Sequence, residues 1–115
     1  MSFPAPDAIV QDWLTERAGA GVVRAKVVTN VAYSDGVLTV TIEPEKFVDM
    51  NAWNSLNEGY FDTPGEFYAT EFGWTNKQSV YLREMVTELR VVNATGSVVE
   101  TVDTAAYQRR KNPQL

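Results

Sequence analysis

The chain alternates between two hydrophobic rhythms. Near its start, Ile9, Val10, Trp13 and Leu14 fall on one face at helical spacing, with Asp12, Glu16 and Arg17 directed to water. Pro6 suits a first turn, Asp7 the positive end of the helix dipole, and Gly19 a helix end, so this stretch predicts a helix over 6–18. The following segment changes to a period of two. Val23, Ala25, Val27, Thr29, Val31 and Tyr33 share one face, and Arg24, Lys26 and Asn30 share the other. Leu38, Val40 and Ile42 then alternate with Thr39 and Thr41. Ser34-Asp35-Gly36 between the two runs tolerates positive φ, and Pro44 closes the second, which predicts a β-hairpin.

At residue 45 the helical period returns. Phe47, Met50, Trp53, Leu56 and Tyr60 recur every three or four positions, the stripe of a buried helix over 45–58 ended by Gly59. Thr63-Pro64-Gly65-Glu66 reads as a capping box: Thr63 caps, Pro64 opens the helix and Glu66 reaches back. That helix is expected over 64–72, stopping at Gly73. Residues 79–90 carry both rhythms. Leu82, Met85, Val86 and Leu89 fit a helix, whereas Tyr81, Met85, Leu89 and Val91 fit alternation. β-Branched residues on both sides of the Asn93–Gly96 turn favour strands here, and a second hairpin. The expected fold is α+β, a small antiparallel sheet of about four strands with about three helices packed on one face. One domain is expected over 1–115, with 1–4 and 108–115 as loose ends.

Composition narrows the chemistry. The 115 residues contain no cysteine and no histidine. Disulfides, thiolate nucleophiles, histidine general bases, Ser-His-Asp catalysis and Cys- or His-ligated metals are therefore excluded. Acid–base catalysis would need a carboxylate, Tyr or Lys with a strongly shifted pKa, and a metal would have to be a hard ion on oxygen ligands. The acidic residues lack the spacing of a calcium loop, so no metal site or cofactor is expected. No apolar run is long enough for a membrane span, and the first residues lack a signal-peptide pattern. A soluble protein of the cytoplasm or cell interior, with no membrane partner, is expected.

The net charge of −5 argues against nucleic acid as a partner. The one basic run is Arg109, Arg110 and Lys111, followed by Asn112 and Pro113. Residues 43–71 hold seven carboxylates (Glu43, Glu45, Asp49, Glu58, Asp62, Glu66, Glu71) against one cation, Lys46. Aromatics crowd the same region: Trp53, Tyr60, Phe61, Phe67, Tyr68 and Phe72, with Trp74 and Tyr81 beyond. Side chains of this size serve a small core, and Tyr and Trp also serve interfaces where one end stays wet. Acidic side chains between them would speed and select the approach of a basic partner.

Two short stretches resemble known proteins. Phe67-Tyr68 with Phe72-Gly73-Trp74 resembles the helix end of the glyoxalase/bleomycin-resistance superfamily. That family's metal-ligating histidine has no counterpart here, so no metal site is carried over. The opening, FPAPDAIVQDWLTERAGAGVV, resembles the first helix of small tail and neck proteins of actinobacterial phages. That resemblance implies a structural component of a larger particle and carries no site residues.

The expected function is a non-enzymatic module that binds another protein or a second copy of itself. Trp53, Tyr60, Tyr68 and Trp74 are the candidate anchors, with Asp62 and Glu71 at the rim. The alternative is a small-molecule binder or lyase/isomerase-type domain shaped as a cone. There Tyr68 would orient the ligand, and Asp62 or Glu71 would act as a desolvated base.

Overall fold

A computed structural model of the chain describes residues 3–111. The elements run α1 (Pro6–Gly19), α2 (Val23–Lys26), β1 (Val28–Ser34), β2 (Val37–Ile42), a 3-10 turn at Pro44–Lys46, α3 (Met50–Glu58), α4 (Pro64–Tyr68), a 3-10 turn at Thr70–Gly73, α5 (Lys77–Met85), β3 (Glu88–Val92), β4 (Val98–Asp103) and α6 (Thr104–Lys111). The fold is α+β, and its four strands form one sheet in the order β1-β2-β3-β4.

Both hairpins form as expected. Asp35 and Gly36 take φ of 48° and 83° in the first turn. In the second, Gly96 takes a φ of 86°, and the Asn93 side chain accepts from the Ser97 amide at 3.0 Å. The hairpins join, however, through a parallel pairing of β2 with β3. The sheet is therefore mixed, not wholly antiparallel. Parallel neighbours need a long crossover, and residues 43–87, with α3, α4 and α5, supply it.

The strand registers line up two apolar rows on one face. Tyr33, Leu38, Leu89 and Val102 form one row, and Val31, Val40, Val91 and Glu100 form the next. The opposite face carries Ala32, Thr39, Arg90 and Thr101. Alternation of side chains along each strand makes the division. Ile9, Val10 and Leu14 of α1, together with Tyr68, Phe72 and Leu82, join the apolar rows in one core. The second row ends on a carboxylate, Glu100, at the edge strand.

Three local expectations change. Residues 23–26 form α2 and not the start of a strand. Arg24 and Ala25 are buried there, so tertiary contacts override the β-propensity of the valines. Residues 77–85 form α5, not a strand, and β3 is confined to 88–92. Asn76 decides this start by capping, its side chain accepting from the Ser79 amide at 2.8 Å. Finally, 108–111 belong to α6 and are not loose. The remaining expected ends, residues 1, 2 and 112–115, lie outside the described residues.

The capping box at 63–66 forms as read. The Glu66 amide donates to the Thr63 hydroxyl at 3.2 Å, and the Thr63 amide donates to the Glu66 carboxylate at 3.0 Å. The helix it opens is shorter than expected, ending at Tyr68 before the 3-10 turn to Gly73. The stripe over 45–58 also divides. Trp53 is buried and Leu56 half-buried, but Phe47, Met50 and Tyr60 remain exposed. Among the residues of α3, Trp53 is the buried one. The helix thus meets the core through Trp53 and Leu56 and leaves the rest of its stripe exposed.

Candidate functional site

Two arrangements meet where the crossover approaches the sheet. The first centres on Arg24, a residue that alternation had assigned to a solvent face. Its side chain is only 2% exposed. Nε donates to the Asn57 amide oxygen at 2.9 Å, Nη1 to the Asp62 carboxylate at 2.8 Å, and Nη2 to the Asp62 carbonyl at 2.9 Å. The guanidinium carbon lies 4.3 Å from the centre of the Tyr60 ring, close enough for a cation–π contact. The Arg24 carbonyl accepts from the Tyr68 hydroxyl at 2.7 Å. A buried guanidinium is tolerable only when its donors and charge are matched, and these partners match them.

This cluster accounts for three expected site residues. Asp62 is held as the counter-charge of Arg24. Tyr60 covers the guanidinium. Tyr68 is wholly buried, so it has no surface to offer a ligand or partner. Burial pushes its phenol well above the ordinary range, an effect that the neighbouring Arg24 charge only partly offsets.

The other expected residues are dispersed. Trp74 is 55% exposed, and its carbonyl accepts from Arg83 Nη1 at 2.6 Å. Glu71 lies in a separate hollow of about 240 Å³ with Trp13, Asp12 and Glu16. The aromatics and carboxylates of 61–76 therefore do not converge on one pocket. Among the described residues, no cluster of three or more carboxylates is placed to hold a metal ion.

The second arrangement is a cleft of about 360 Å³ beside α3. Ile42, Pro44, Trp53 and Val91 give it an apolar lining, and Met50 and Val99 lie at its exposed edge. It exists because α3 meets the core through Trp53 and the half-buried Leu56 and leaves Met50 exposed, while β2 and β3 end on apolar side chains beside it. Its charged lining is entirely acidic, from Glu45 and Glu100. Glu100 is held in place: the Thr63 hydroxyl donates to one of its oxygens, and the Gly65 amide donates to the other at 2.9 Å. Beside the cleft, Glu43 is paired with Lys46 at 2.7 Å. Hydrogen bonds from Lys46 and then Thr29 hold the Glu43 carboxyl below its ordinary range, against a smaller opposing effect of burial.

Family models, curated proteins and solved structures were compared with the chain. None of them matches it. The chemistry of the cleft must therefore be read from its own lining.

Of the expected residues, only Trp53 lines this cleft. Arg24 and Glu100 lay hidden in strand patterns, and no local signal separates them from solvated charges. Exposure of Met50 and Phe47 was equally hidden, because a helical stripe does not record how far its helix stands from the sheet. Among the described residues, no helix is long and apolar enough to cross a membrane.

Proposed function

We propose that this protein is a non-enzymatic docking module that binds a protein partner through the cleft between α3 and the sheet. The supporting observation is the cleft's edge. Met50 and Val99, 43% and 57% exposed, flank an apolar floor with Trp53 at its base. Val98, next to Val99 in sequence, is also exposed, as is Phe47 between Glu45 and Met50. Large apolar side chains collected around a concavity favour an anchor-in-pocket contact, whereas scattered ones carry no such meaning. Tyr60 and Trp74 remain exposed aromatics outside the cleft lining.

A second reading rests on the size of the cleft, which falls within the range of small-molecule sites. Under it, Glu45 or Glu100 would orient a ligand, since Asp62 is taken by Arg24. The open, apolar edge favours a partner chain over an enclosed small molecule.

A photo-crosslinking side chain placed at Val99, in the cells that make the protein, tests the docking reading. A protein adduct from position 99, absent from position 90 on the opposite sheet face, is expected. Equal labelling at both positions, or none at either, would remove the docking reading.

A further inference from the structure

We propose that β1 is a pairing edge and that its occupant is β1 of a second copy of this chain, set antiparallel about a two-fold at Ala32. The four-stranded sheet is open, with β1 and β4 at its two edges. Those edges differ. The β4 edge is guarded: its register shifts between Val91 and Val92, and Glu100 places a carboxylate in the row that faces the core. Bulges and inward-pointing charges are common protections of a sheet edge. By contrast, β1 runs for seven residues, Val28–Ser34, with no charge and no proline. Its own irregularity lies between Val28 and Asn30, which leaves Asn30–Ser34 regular.

The hairpin turn sets which backbone groups of β1 face outward. Asp35 and Gly36 both take positive φ, the two-residue turn in which the flanking residues, Ser34 and Val37, exchange both hydrogen bonds. Antiparallel ladders alternate, so Ala32 bonds to Thr39, while the N–H and C=O of Val31 and Tyr33 point away from β2. Among the described residues, no other backbone group is hydrogen-bonded to them. Asn30, Ala32 and Ser34 are exposed, and α1 sends Ile9, Val10 and Leu14 into the core that Val31 joins.

A two-fold at Ala32 sets Val31 of each copy against Tyr33 of the other and satisfies all of these outward groups. Both side chains lie on the core-facing side, so an aromatic meets a β-branched residue, a favourable cross-strand pair. Tyr33 is already held, its hydroxyl donating to the Met85 carbonyl at 2.7 Å. On the open face Asn30 meets Ser34, and Ala32 meets its own copy. Copies of a chain with a net charge of −5 repel one another, but β1 brings no charge to the contact. The exposed charges that flank it, Lys26 and Asp35, are opposite in sign and lie beyond opposite ends. Antiparallel pairing turns Asp35 of each copy toward Lys26 of the other. A strand that is complementary to itself in this way gives a closed two-fold dimer with one continuous sheet, and it leaves the cleft beside α3 free.

Charge exchange at Ala32 tests the register directly. In sedimentation velocity the unaltered chain should reach the mass of a dimer as concentration rises, and no more. Ala32→Lys and Ala32→Asp each set like charges face to face at the two-fold, so each variant alone should dimerise more weakly than the unaltered chain. Mixed, they should pair one-to-one, about tenfold more tightly than either does with itself. Circular dichroism checks that both are folded. If either charge unfolds the chain, amide exchange of the unaltered protein decides instead: the Val31 and Tyr33 amides should exchange more slowly as concentration rises. Met50→Asp, in the cleft, should leave the dimer intact. A monomeric unaltered chain, growth beyond two copies, a dimer indifferent to both charges at position 32, or amides at 31 and 33 that exchange alike at every concentration would overturn the proposal. So would a dimer lost with Met50→Asp, which would move the contact to the cleft.

Discussion

Arg24 and Asp62 lie 38 residues apart and share two hydrogen bonds, at 2.8 and 2.9 Å. Their exposures differ sharply, at 2% and 27% of the side chain. Removing one partner of a buried ion pair is costly because the other charge is left without compensation. The cost must therefore depend on which partner is removed. Asp62→Ala strands a guanidinium away from water and should lower unfolding free energy by about 3–5 kcal/mol. Arg24→Met leaves a carboxylate that water can reach and should cost less, about 1–3 kcal/mol. Urea denaturation of the two variants measures the order. If Arg24→Met proved the more damaging, Arg24 would be acting mainly through packing.

Gly65 is expected to resist any side chain. A Cβ built there would lie 2.7 Å from the Glu100 carboxyl carbon and 2.8 Å from a Val102 methyl. Gly65→Ala must push β4 away or displace Glu100 from the Gly65 amide, and overpacking of this kind costs about 1–3 kcal/mol. Gly59→Ala is the natural control. Its Cβ would meet the Leu56 carbonyl at an ordinary 3.4 Å, and the change should stay within about 0.5 kcal/mol. Thermal melts of both variants decide the matter, with equal shifts counting against a tight contact at Gly65.

The buried phenol of Tyr68 predicts alkaline sensitivity. Its pKa in the folded chain is raised above the unfolded value of 10. The unfolded chain therefore ionises first as pH rises, and folding loses this contribution progressively above pH 10, whereas below that pH it is fully present. Tyr68→Phe should remove this component of alkaline unfolding. At neutral pH the same change leaves the Arg24 carbonyl without its partner at 2.7 Å and should cost about 1–2 kcal/mol. Stability measured from neutral to alkaline pH should show the two curves converging above pH 10. Parallel curves would mean that Tyr68 does not titrate late.

Glu43 works in the opposite direction. Its carboxyl is held below the usual 4.5 by Lys46 and Thr29. Its contribution is present above that value and is lost as pH falls through the depressed folded value. Glu43→Gln should therefore flatten the acid limb of the stability profile while changing the alkaline limb little. An unchanged acid limb would show that the pair with Lys46 adds nothing measurable.

Cleft variants should separate folding from docking. Met50 and Val99 are exposed, so Met50→Asp should shift stability by no more than about 0.5 kcal/mol. It should nevertheless abolish crosslinking from position 99. If the melting temperature falls steeply instead, Met50 belongs to the packing of α3 and not to a docking edge.

Much of the local structure was legible because local interactions create it. The capping box at Thr63 and Glu66, the Asp35-Gly36 turn and the α1 stripe each involve residues within a few positions of one another. Their backbone preferences and neighbouring hydrogen bonds suffice to specify them. The absence of cysteine and histidine likewise restricts the chemistry whatever the fold. The candidate site was much less legible. Tyr68 and Trp53 read alike as large aromatics, yet one fills the core and the other floors a cleft.

By itself, then, the sequence determined an acidic α+β chain with two hairpins, a capped helix at 64 and no route to histidine or cysteine chemistry. Tertiary structure alone decided that β2 pairs parallel with β3, that residues 23–26 coil into α2, and that α3 buries Trp53 while leaving Met50 exposed. It also decided that Arg24 is buried on Asn57 and Asp62 and that Glu100 turns toward α4. The physical reason is range. A cap or a two-residue alternation is settled by neighbours, but a charge becomes buried, or an apolar side chain exposed, only through partners that the chain meets after folding back on itself.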